Sequence, residues 1–200
     1  MSLLVCSLNM PEDIFGVVNE RDEVVDCQPR SVVHRLGLKH RAAHVLVFSS
    51  RGEVFLQKRS MKKDRQPGLW DSSASGHVDS GEDYDACAAR ELREEIGLNL
   101  TQPPERLFKI KACEETDQEF VLVYRCRHDG LLELNPDEID SGGWFAPDKI
   151  TRWMTERPQD FASALLLILE RIAPQRPTFA CSPPASVTSV RRRATNPPGN

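Results

Sequence analysis

Short apolar runs separated by turn-forming residues dominate the first third of the chain. Two of them flank a polar Asn-Glu-Arg-Asp sequence, which predicts a short hairpin. A later run that includes Val45, Val47 and Phe48 predicts a buried strand, and Arg51-Gly52 turns the chain into the next one. The strands predicted in this part cover residues 14–18, 24–25, 42–49 and 53–58. This part of the chain is therefore predicted to build β-sheet.

A helical pattern follows Pro67-Gly68, which interrupts the extended segments. Ala88, Ala89, Leu92 and Ile96 fall within about 60° of Leu92 on a helical wheel. They form the stripe predicted to face the core. The sequence thus predicts an amphipathic helix between the early strands and the rest of the chain.

After this helix the pattern returns to strands and closes on a second helix. Strands are predicted at residues 107–111 and 119–125, a further strand is predicted to start at residues 142–145, and the closing helix is predicted over residues 161–172. The predicted fold class is α/β (α+β), with a mixed sheet and few helices.

The polar side of the first helix carries three carboxylates. Glu91, Glu94 and Glu95 cluster about a quarter turn or more from the apolar stripe, and Gly97 occupies the position of a left-handed C-terminal cap. Like charges at these spacings repel by about a few tenths of a kcal/mol per pair, so a purely structural helix gains nothing from them. A divalent cation such as Mg²⁺ would remove this penalty. The alternative interpretation is a solvated acidic face on which Arg90 pairs with Glu94.

These residues belong to a longer pattern with fixed spacing. Gly76 is followed after five residues by Glu82 and after seven more by Arg90-Glu91. An aliphatic residue, any residue, Glu94-Glu95, any residue, Gly97 and a final aliphatic residue complete the pattern. This is the full signature of the Nudix hydrolases without departures, and the chain resembles that family.

The resemblance implies a Nudix-type α/β/α sandwich and metal-assisted hydrolysis of a diphosphate linked to another group. It implies Mg²⁺, with Mn²⁺ as an alternative, bound by Glu91, Glu94 and Glu95, with the backbone carbonyl of Ser75 as a further oxygen ligand. Glu91 would also orient or deprotonate the attacking water, and Arg90 would hold the glutamates by ion pairing. The catalytic set is thus Glu91, Arg90 and Glu94, and the structural positions of the motif are Gly76, Glu82 and Gly97.

Outside the signature, the resemblance covers roughly residues 13–172 and points to the branch that includes isopentenyl-diphosphate isomerase and its hydrolase relatives. The segments that carry it are His40-Arg41-Ala42-Ala43-His44, Leu56–Ser60, Pro67–Asp71 and Ser75-Gly76-His77. In the isomerase, a cysteine precedes the Gly-His pair and works with a glutamate to move protons on the isoprenoid carbon skeleton. Ser75 stands there instead, and a hydroxyl is a far poorer proton donor than a thiol with a pKa of about 8.5. Ser75 and the intact signature both favour hydrolysis.

The same branch suggests a second metal site. His34, His40 and His77 resemble its histidine ligands, and Glu119 falls where the branch keeps its acidic metal-site residue. Three histidines and an acid are a set that holds Mn²⁺ or Zn²⁺. Taken singly, each histidine is more often a polar core or surface residue, and His44 carries no comparable argument. Glu119 is also one candidate for the catalytic base.

Basic side chains near the signature are candidates for substrate binding. Arg59 and Lys58, followed by Lys62 and Lys63, offer cations to a polyanionic substrate, although a solvated basic patch accounts equally well for them. Glu138 is a second candidate base. Nothing in residues 99–150 resembles a motif for a particular base, sugar or inositol.

Composition limits the domain organisation and the partners. A chain of 200 residues with 40% apolar content is enough for one domain, predicted over residues 13–174 between a flexible N-terminus at 1–12 and a disordered Pro/Ser/Arg tail at 175–200. The tail has four arginines and no acid. These account for four of the 26 basic residues, so the remaining body carries a net charge of −8. An acidic body argues against stable nucleic-acid binding.

The expected location is the cytoplasm. The sequence shows no run of 18 apolar residues and no signal-peptide pattern, so no membrane contact is expected. The six cysteines are scattered without a Cys-x-x-Cys pair and are predicted to be reduced thiols. The sequence leaves association into a homodimer open.

Three functions are compatible with these observations. The first is a metal-dependent hydrolase of a nucleoside diphosphate derivative or a related diphosphate. The second is an isopentenyl-diphosphate isomerase-like enzyme, against which Ser75 argues. The third is a non-catalytic binding module of the Nudix fold, against which the three mutually repelling glutamates argue.

Overall fold

The structure, a computed structural model, describes residues 12–172. The strands are β1 (Ile14–Val18), β2 (Val24–Pro29), β3 (His40–Phe48), β4 (Val54–Arg59), β5 (Trp70–Asp71), β6 (Ala74–His77), β7 (Glu105–Ile110), β8 (Glu119–Arg127) and β9 (Ile139–Phe145). The helices are α1 (Arg30–Leu36), α2 (Tyr84–Ile96), α3 (Pro147–Glu156) and α4 (Ser163–Ile172), with a single 3-10 turn at Pro158–Asp160. The predicted N-terminal and C-terminal tails lie outside the described residues, apart from residue 12, and the domain boundaries stay predictions.

The main sheet is mixed. It has seven strands, of which five follow the order β5-β4-β3-β8-β7, while β6 pairs with β3 and β9 pairs with β4. The pairing of β3 with β8 is parallel, and the other pairings in the sheet are antiparallel. A separate two-stranded sheet joins β1 to β2. The predicted mixed sheet is confirmed.

Helices cover both faces of the main sheet. Because side chains alternate along a strand, β3 sends Ala43 and Val45 towards α2 and Ala42 and Leu46 towards α4. Both apolar clusters are buried, which gives a layer of helix on each side of the sheet. The predicted α/β/α sandwich is confirmed.

Local signals fix both ends of α2. The Asp83 side chain accepts a hydrogen bond from the Ala86 amide at 2.9 Å, which caps the first turn. At the other end Gly97 adopts a left-handed conformation with φ 68°, and the amides of Gly97 and Leu98 bond back to the last turn. These caps hold the carboxylate-bearing turns of the helix in one register relative to the sheet.

The buried stripe of α2 differs from the prediction at one position. Ala89 is exposed, and Cys87 occupies the core instead. The helix is rotated because Glu91 and Glu95 are themselves largely buried, which brings them under the edge of the sheet and turns Ala89 outward. Counting only apolar residues placed the centre of the buried face too far from the acidic side.

Other elements were missed or misplaced. Helix α1 was not predicted, because it has only seven residues and Pro29 at its N-cap provides no side-chain cap. Helix α3 was also missed, although Pro147 at its first turn is a start signal. The segment at residues 142–145 is the end of β9 and not its start, and the short strands β5 and β6 lay within what had been treated as motif. Within residues 12–172, the helices are too short or too polar to cross a membrane.

Candidate active site

One large cavity lies where α2, β3 and β6 meet the loops that follow β4 and precede β8 and β9. Its volume is about 790 Å³, and acidic, basic and imidazole side chains all reach its wall. A cavity of this size accommodates a small-molecule substrate. Its lining divides into a carboxylate group from α2, a histidine group and a surrounding set of cations.

Arg90 organises the carboxylate group. Its Nε and Nη2 atoms donate to the two carboxylate oxygens of Glu82 at 3.0 and 2.9 Å, and Nη2 also donates to the His77 carbonyl at 2.9 Å. Its Nη1 atom donates to Glu91 at 2.6 Å and reaches Glu94 at 3.4 Å. These partners raise the pKa of Arg90, with the Glu82 hydrogen bonds as the main cause. One guanidinium therefore ties the motif loop to the helix.

Glu91 fits into a space that glycine leaves open. Its carboxylate lies so close to Gly76 that a methyl group added there would overlap it. Burial raises the pKa of Glu91 from 4.5 to about 7, because the lowering effect of Arg90 does not offset the loss of hydration. Gly76 is thus required by the position of a carboxylate and not by a turn of the backbone.

Glu95 is buried against the sheet. Its Oε2 atom accepts hydrogen bonds from the Gln57 side chain on β4 and from the Ser75 amide on β6, each at 2.9 Å. Burial, followed by repulsion from Glu91, raises the pKa of Glu95. Glu94 differs, since its side chain is 49% exposed. The three glutamates therefore present one open and two enclosed carboxylates at the same wall of the cavity.

The histidine group consists of His34 from α1, His40 from β3 and His77 from β6. One nitrogen from each ring lies within 4.8 Å of the others. The Nδ1–H of His40 donates to the Leu38 carbonyl at 2.9 Å, which leaves the Nε2 lone pair free to act as a ligand. Neither ring nitrogen of His34 has a hydrogen-bond partner among the described residues, and both are buried. Buried nitrogens without partners are the arrangement that a metal ion would satisfy.

Two acids border the histidine group. A carboxylate oxygen of Glu119 on β8 lies 3.0 Å from His77 Nε2 and 3.5 Å from His40 Nε2. Although burial opposes its ionisation, the adjacent rings of His40 and His77 hold the pKa of Glu119 below its ordinary value. Asp117 lies 3.2 Å from His34 Nδ1. Burial lowers the pKa of His34 from 6.5 to about 4, which keeps its ring neutral at physiological pH.

Phe15 forms one side of the histidine group. Its ring stacks on His77 at a centroid distance of 4.5 Å and on His40 at 5.7 Å, and it meets the edge of His34 at 6.2 Å. The hairpin of β1 and β2 therefore supplies an apolar wall behind the imidazoles. The sequence gave no signal for this role, because Phe15 looked like an ordinary core residue of a short strand.

Each cation that lines the cavity has an acidic partner. The pairs are Arg30 with Asp64, Arg59 with Asp71, Lys62 with Asp137, Lys63 with Glu138, Arg65 with Asp117, and Arg90 with Glu82, Glu91 and Glu94. Of the predicted substrate-binding residues, Arg59 lines the cavity and Lys58 does not. The reason is the alternation of β4, in which Gln57 and Arg59 share one face and Lys58 has the other.

A comparison with known protein families decides the assignment. A family model described as the NUDIX domain matches residues 38–165. This chain belongs to the Nudix family. Among known proteins, it is 32% identical over 158 residues to an uncharacterized Nudix hydrolase of Yersinia pestis, a match that covers 78% of this chain and 85% of the relative.

The isomerase branch is also represented among the Nudix relatives. The chain is 31% identical over 162 residues to an isopentenyl-diphosphate Delta-isomerase of Serratia proteamaculans, covering 80% of this chain and 90% of that protein. Among solved structures, DR0079 from Deinococcus radiodurans has a TM-score of 0.73 at 27% identity and covers 81% of this chain and 100% of its own. The predicted family and branch are confirmed.

The Nudix signature residues meet in the structure as a single group. Glu91, Glu94, Glu95 and Ser75 all line the cavity, together with Glu119 and Arg90. Sequence reasoning missed Gln57, which holds Glu95 from the neighbouring strand. Its alternation with Arg59 on a strand that ends at the cavity was the available signal.

Proposed function

We propose that this Nudix protein is a metal-dependent hydrolase that cleaves a diphosphate linkage in a nucleoside diphosphate derivative or a related diphosphate. The observation that carries the proposal is the convergence of Glu91, Glu94 and Glu95 on one wall of a cavity whose rim is rich in cations. Cations at the rim suit a polyanionic substrate, and a carboxylate group suits its metal ion. The free thiols among the described cysteines support the expected cytoplasmic location.

The carboxylate group fits a hard divalent cation. Glu91 and Glu95 are enclosed and repel each other, and both have raised pKa values mainly because they are buried. We propose that these two residues and Glu94 hold Mg²⁺, or Mn²⁺, with the Ser75 carbonyl as a further ligand. When bound, the ion supplies charge neutralisation on the phosphate oxygens and a more acidic attacking water.

The protein's own side chains have separate roles in this proposal. Arg90 fixes Glu91 and Glu94 relative to the loop through its bonds to Glu82. Glu91 orients the attacking water. Glu119 is a poorer base, because the two histidines beside it stabilise its ionised form and so lower its affinity for a proton.

The cations of the cavity rim are proposed to bind the phosphates. Arg59 is held by Asp71 at 2.8 Å on a side chain that is 15% exposed, so its guanidinium is already oriented towards the cavity. Lys62 and Lys63 bridge to the loop before β9 through Asp137 and Glu138. Glu138 is paired to Lys63, which makes it a support for the cation in the substrate-free protein.

A second candidate function is favoured by the histidine group. An isomerase-like activity would use a metal held by His34, His40, His77 and Glu119, and the partnerless nitrogens of His34 suit such an ion. Ser75 argues against it, because a serine hydroxyl is a poor proton donor to carbon. We therefore propose hydrolysis as the main activity and treat the histidine group as a second metal site.

The deciding experiment measures phosphate and pyrophosphate release with Mg²⁺ and with Mn²⁺. The substrates are nucleoside di- and triphosphates, nucleotide sugars, dinucleotides and isoprenoid diphosphates, with isopentenyl-to-dimethylallyl conversion assayed in parallel. We expect metal-dependent cleavage that Glu94→Gln abolishes without changing the thermal midpoint. Glu156→Gln, an exposed glutamate of α3 away from the cavity, is the matched control. Isomerisation without cleavage would overturn the proposal, and full activity of Glu94→Gln would remove the metal assignment.

A further inference from the structure

His44 is a cavity residue outside the signature and outside the histidine group. Strand β3 places His40, Ala42 and His44 on the same face by alternation, and His44 pairs across the sheet with Ser75 of β6. Its residue exposure is 5%, yet it lines the cavity. The side chain therefore lies in an enclosed wall with part of its ring facing the space for substrate.

One nitrogen of His44 is committed to the protein. Its Nδ1 atom lies 2.9 Å from the hydroxyl of Ser72, a residue with no solvent exposure. The described residues offer the Ser72 hydroxyl no other partner. A buried hydroxyl left without an acceptor is costly, so the satisfied arrangement has Ser72 donating to Nδ1. In that tautomer the proton of the neutral ring lies on Nε2.

Asp71 keeps this arrangement in place. One of its carboxylate oxygens accepts a hydrogen bond from the Ser72 amide at 2.8 Å, and the other accepts from Arg59 at 2.8 Å. The distance from Asp71 to His44 Nδ1 is 3.8 Å, which is too long for a hydrogen bond, so Asp71 does not take the place of Ser72. Asp71 thus positions Arg59 and, through Ser72, the His44 ring.

The opposite nitrogen is uncommitted. Among the described residues His44 Nε2 has no hydrogen-bond partner, whereas every cation that lines the cavity already has a carboxylate partner. A protonated imidazole would also carry a hydrogen on Nε2, so its role as a donor does not depend on the charge of the ring. His44 is therefore an oriented donor at the cavity wall without an acceptor from the protein.

We propose that His44 is a substrate-binding residue whose Nε2–H donates a hydrogen bond to a phosphate oxygen of the diphosphate substrate. This inference rests on the proposed function for the identity of the substrate. It adds a contact that the signature does not contain, on the face of β3 opposite to α2. Arg59 and His44 then bind the diphosphate side by side from a common support, Asp71.

The first test is binding of methylenediphosphonate, a diphosphate analogue that is not hydrolysed, to the full chain with Mg²⁺ by titration calorimetry. We expect His44→Leu to weaken binding about 10-fold or more, as for loss of a hydrogen bond to a charged group. His44→Gln, which keeps a donor near the Nε2 position, should bind within about threefold of wild type on the same grounds. His128→Leu is the matched control, because His128 does not line the cavity.

The second test measures the tautomer directly. Nitrogen NMR of the imidazole should show Nε2 protonated in wild type, and in Ser72→Ala the preference should be lost, with weaker binding of methylenediphosphonate. This readout does not depend on the stability of any leucine variant. A proton on Nδ1 alone in the wild type, or unchanged binding by His44→Leu with an unchanged thermal midpoint, would overturn the inference.

The two proposals fail in different ways. If wild type cleaves a diphosphate and His44→Leu has the same KM and kcat, the hydrolase stands and the role of His44 falls. If no diphosphate is cleaved but His44→Leu still weakens binding of the analogue, the contact stands and the proposed reaction falls. A raised KM with an unchanged kcat in His44→Leu supports both.

Discussion

The carboxylate group and the histidine group lie in the same cavity but are built in opposite ways. The carboxylates come from two turns of one helix and include the well-exposed Glu94, whereas the imidazoles come from α1, β3 and β6 and are packed against Phe15. Oxygen ligands suit Mg²⁺, and imidazoles with a carboxylate suit Zn²⁺ or Mn²⁺. The difference teaches that one substrate space borders two sites of different metal preference.

The largest expected effect comes from breaking the carboxylate site alone with Gly76→Ala. The added methyl group overlaps the Glu91 carboxylate and separates it from Arg90, so we expect hydrolysis to fall about 100-fold or more. Turnover with Mg²⁺ and binding of Mn²⁺ to the histidine group are the two measurements. Gly16→Ala is the control, since a methyl group there meets only Val24 at 3.5 Å. Wild-type turnover by Gly76→Ala would contradict the packing argument.

His34→Asn breaks the histidine site and spares the other. We expect it to weaken Mn²⁺ or Zn²⁺ binding there about 10- to 100-fold, with Mg²⁺-dependent hydrolysis nearly unchanged. The titration is best done in the Glu94→Gln background, which weakens the carboxylate site. Because neither His34 nitrogen has a hydrogen-bond partner among the described residues, little other bonding is lost. Unaltered Mn²⁺ binding would show that the histidine group holds no metal.

The two groups should also respond to pH with opposite signs in the metal-free protein. The raised pKa of Glu91 means that the folded state binds more protons than the unfolded state between pH 4.5 and about 7, so stability falls as pH rises through this window. The lowered pKa of His34 means that the unfolded state binds more protons between about 4 and 6.5, so stability rises with pH there.

Urea unfolding across this range separates the two contributions. The free energy of unfolding of Glu91→Gln relative to wild type should rise by about 2 kcal/mol between pH 5 and pH 7.5. That of His34→Asn relative to wild type should fall as pH rises through its own window. Saturating Mg²⁺ should remove the Glu91 effect, because bound metal stabilises the ionised carboxylate. Parallel curves for variants and wild type would contradict the pKa shifts.

The smallest expected effect is that of Phe15→Leu. Loss of the stacked ring should lower stability by about 1 kcal/mol and weaken Mn²⁺ binding to the histidine group a few-fold, with hydrolysis unaffected. Phe108→Leu serves as a control, because Phe108 packs in the cluster under α4 and not beside the imidazoles. Equal loss of Mn²⁺ binding in both variants would mean that the effect is general destabilisation.

The predictability of the two groups follows from how local they are. The carboxylate site was predicted residue by residue, because its helix, its cap at Gly97 and its glutamates lie within one short segment. The histidine group was proposed only from resemblance, since no periodicity links α1, β3 and β6. Helix α1 was missed for lack of length, and Ala89 was misassigned because burial of Glu91 and Glu95 reversed the usual preference of charged residues for solvent.

The parallel pairing of β3 with β8 has a consequence for the order of folding. It sets His40 opposite Glu119, two residues far apart in the chain, whereas the turns of α2 form from neighbouring residues. Contacts between distant segments require closure of a long loop, and they form more slowly than local ones. We therefore expect the acidic helix to acquire amide-exchange protection early in refolding, and the imidazole pocket to mature only in the last kinetic phase.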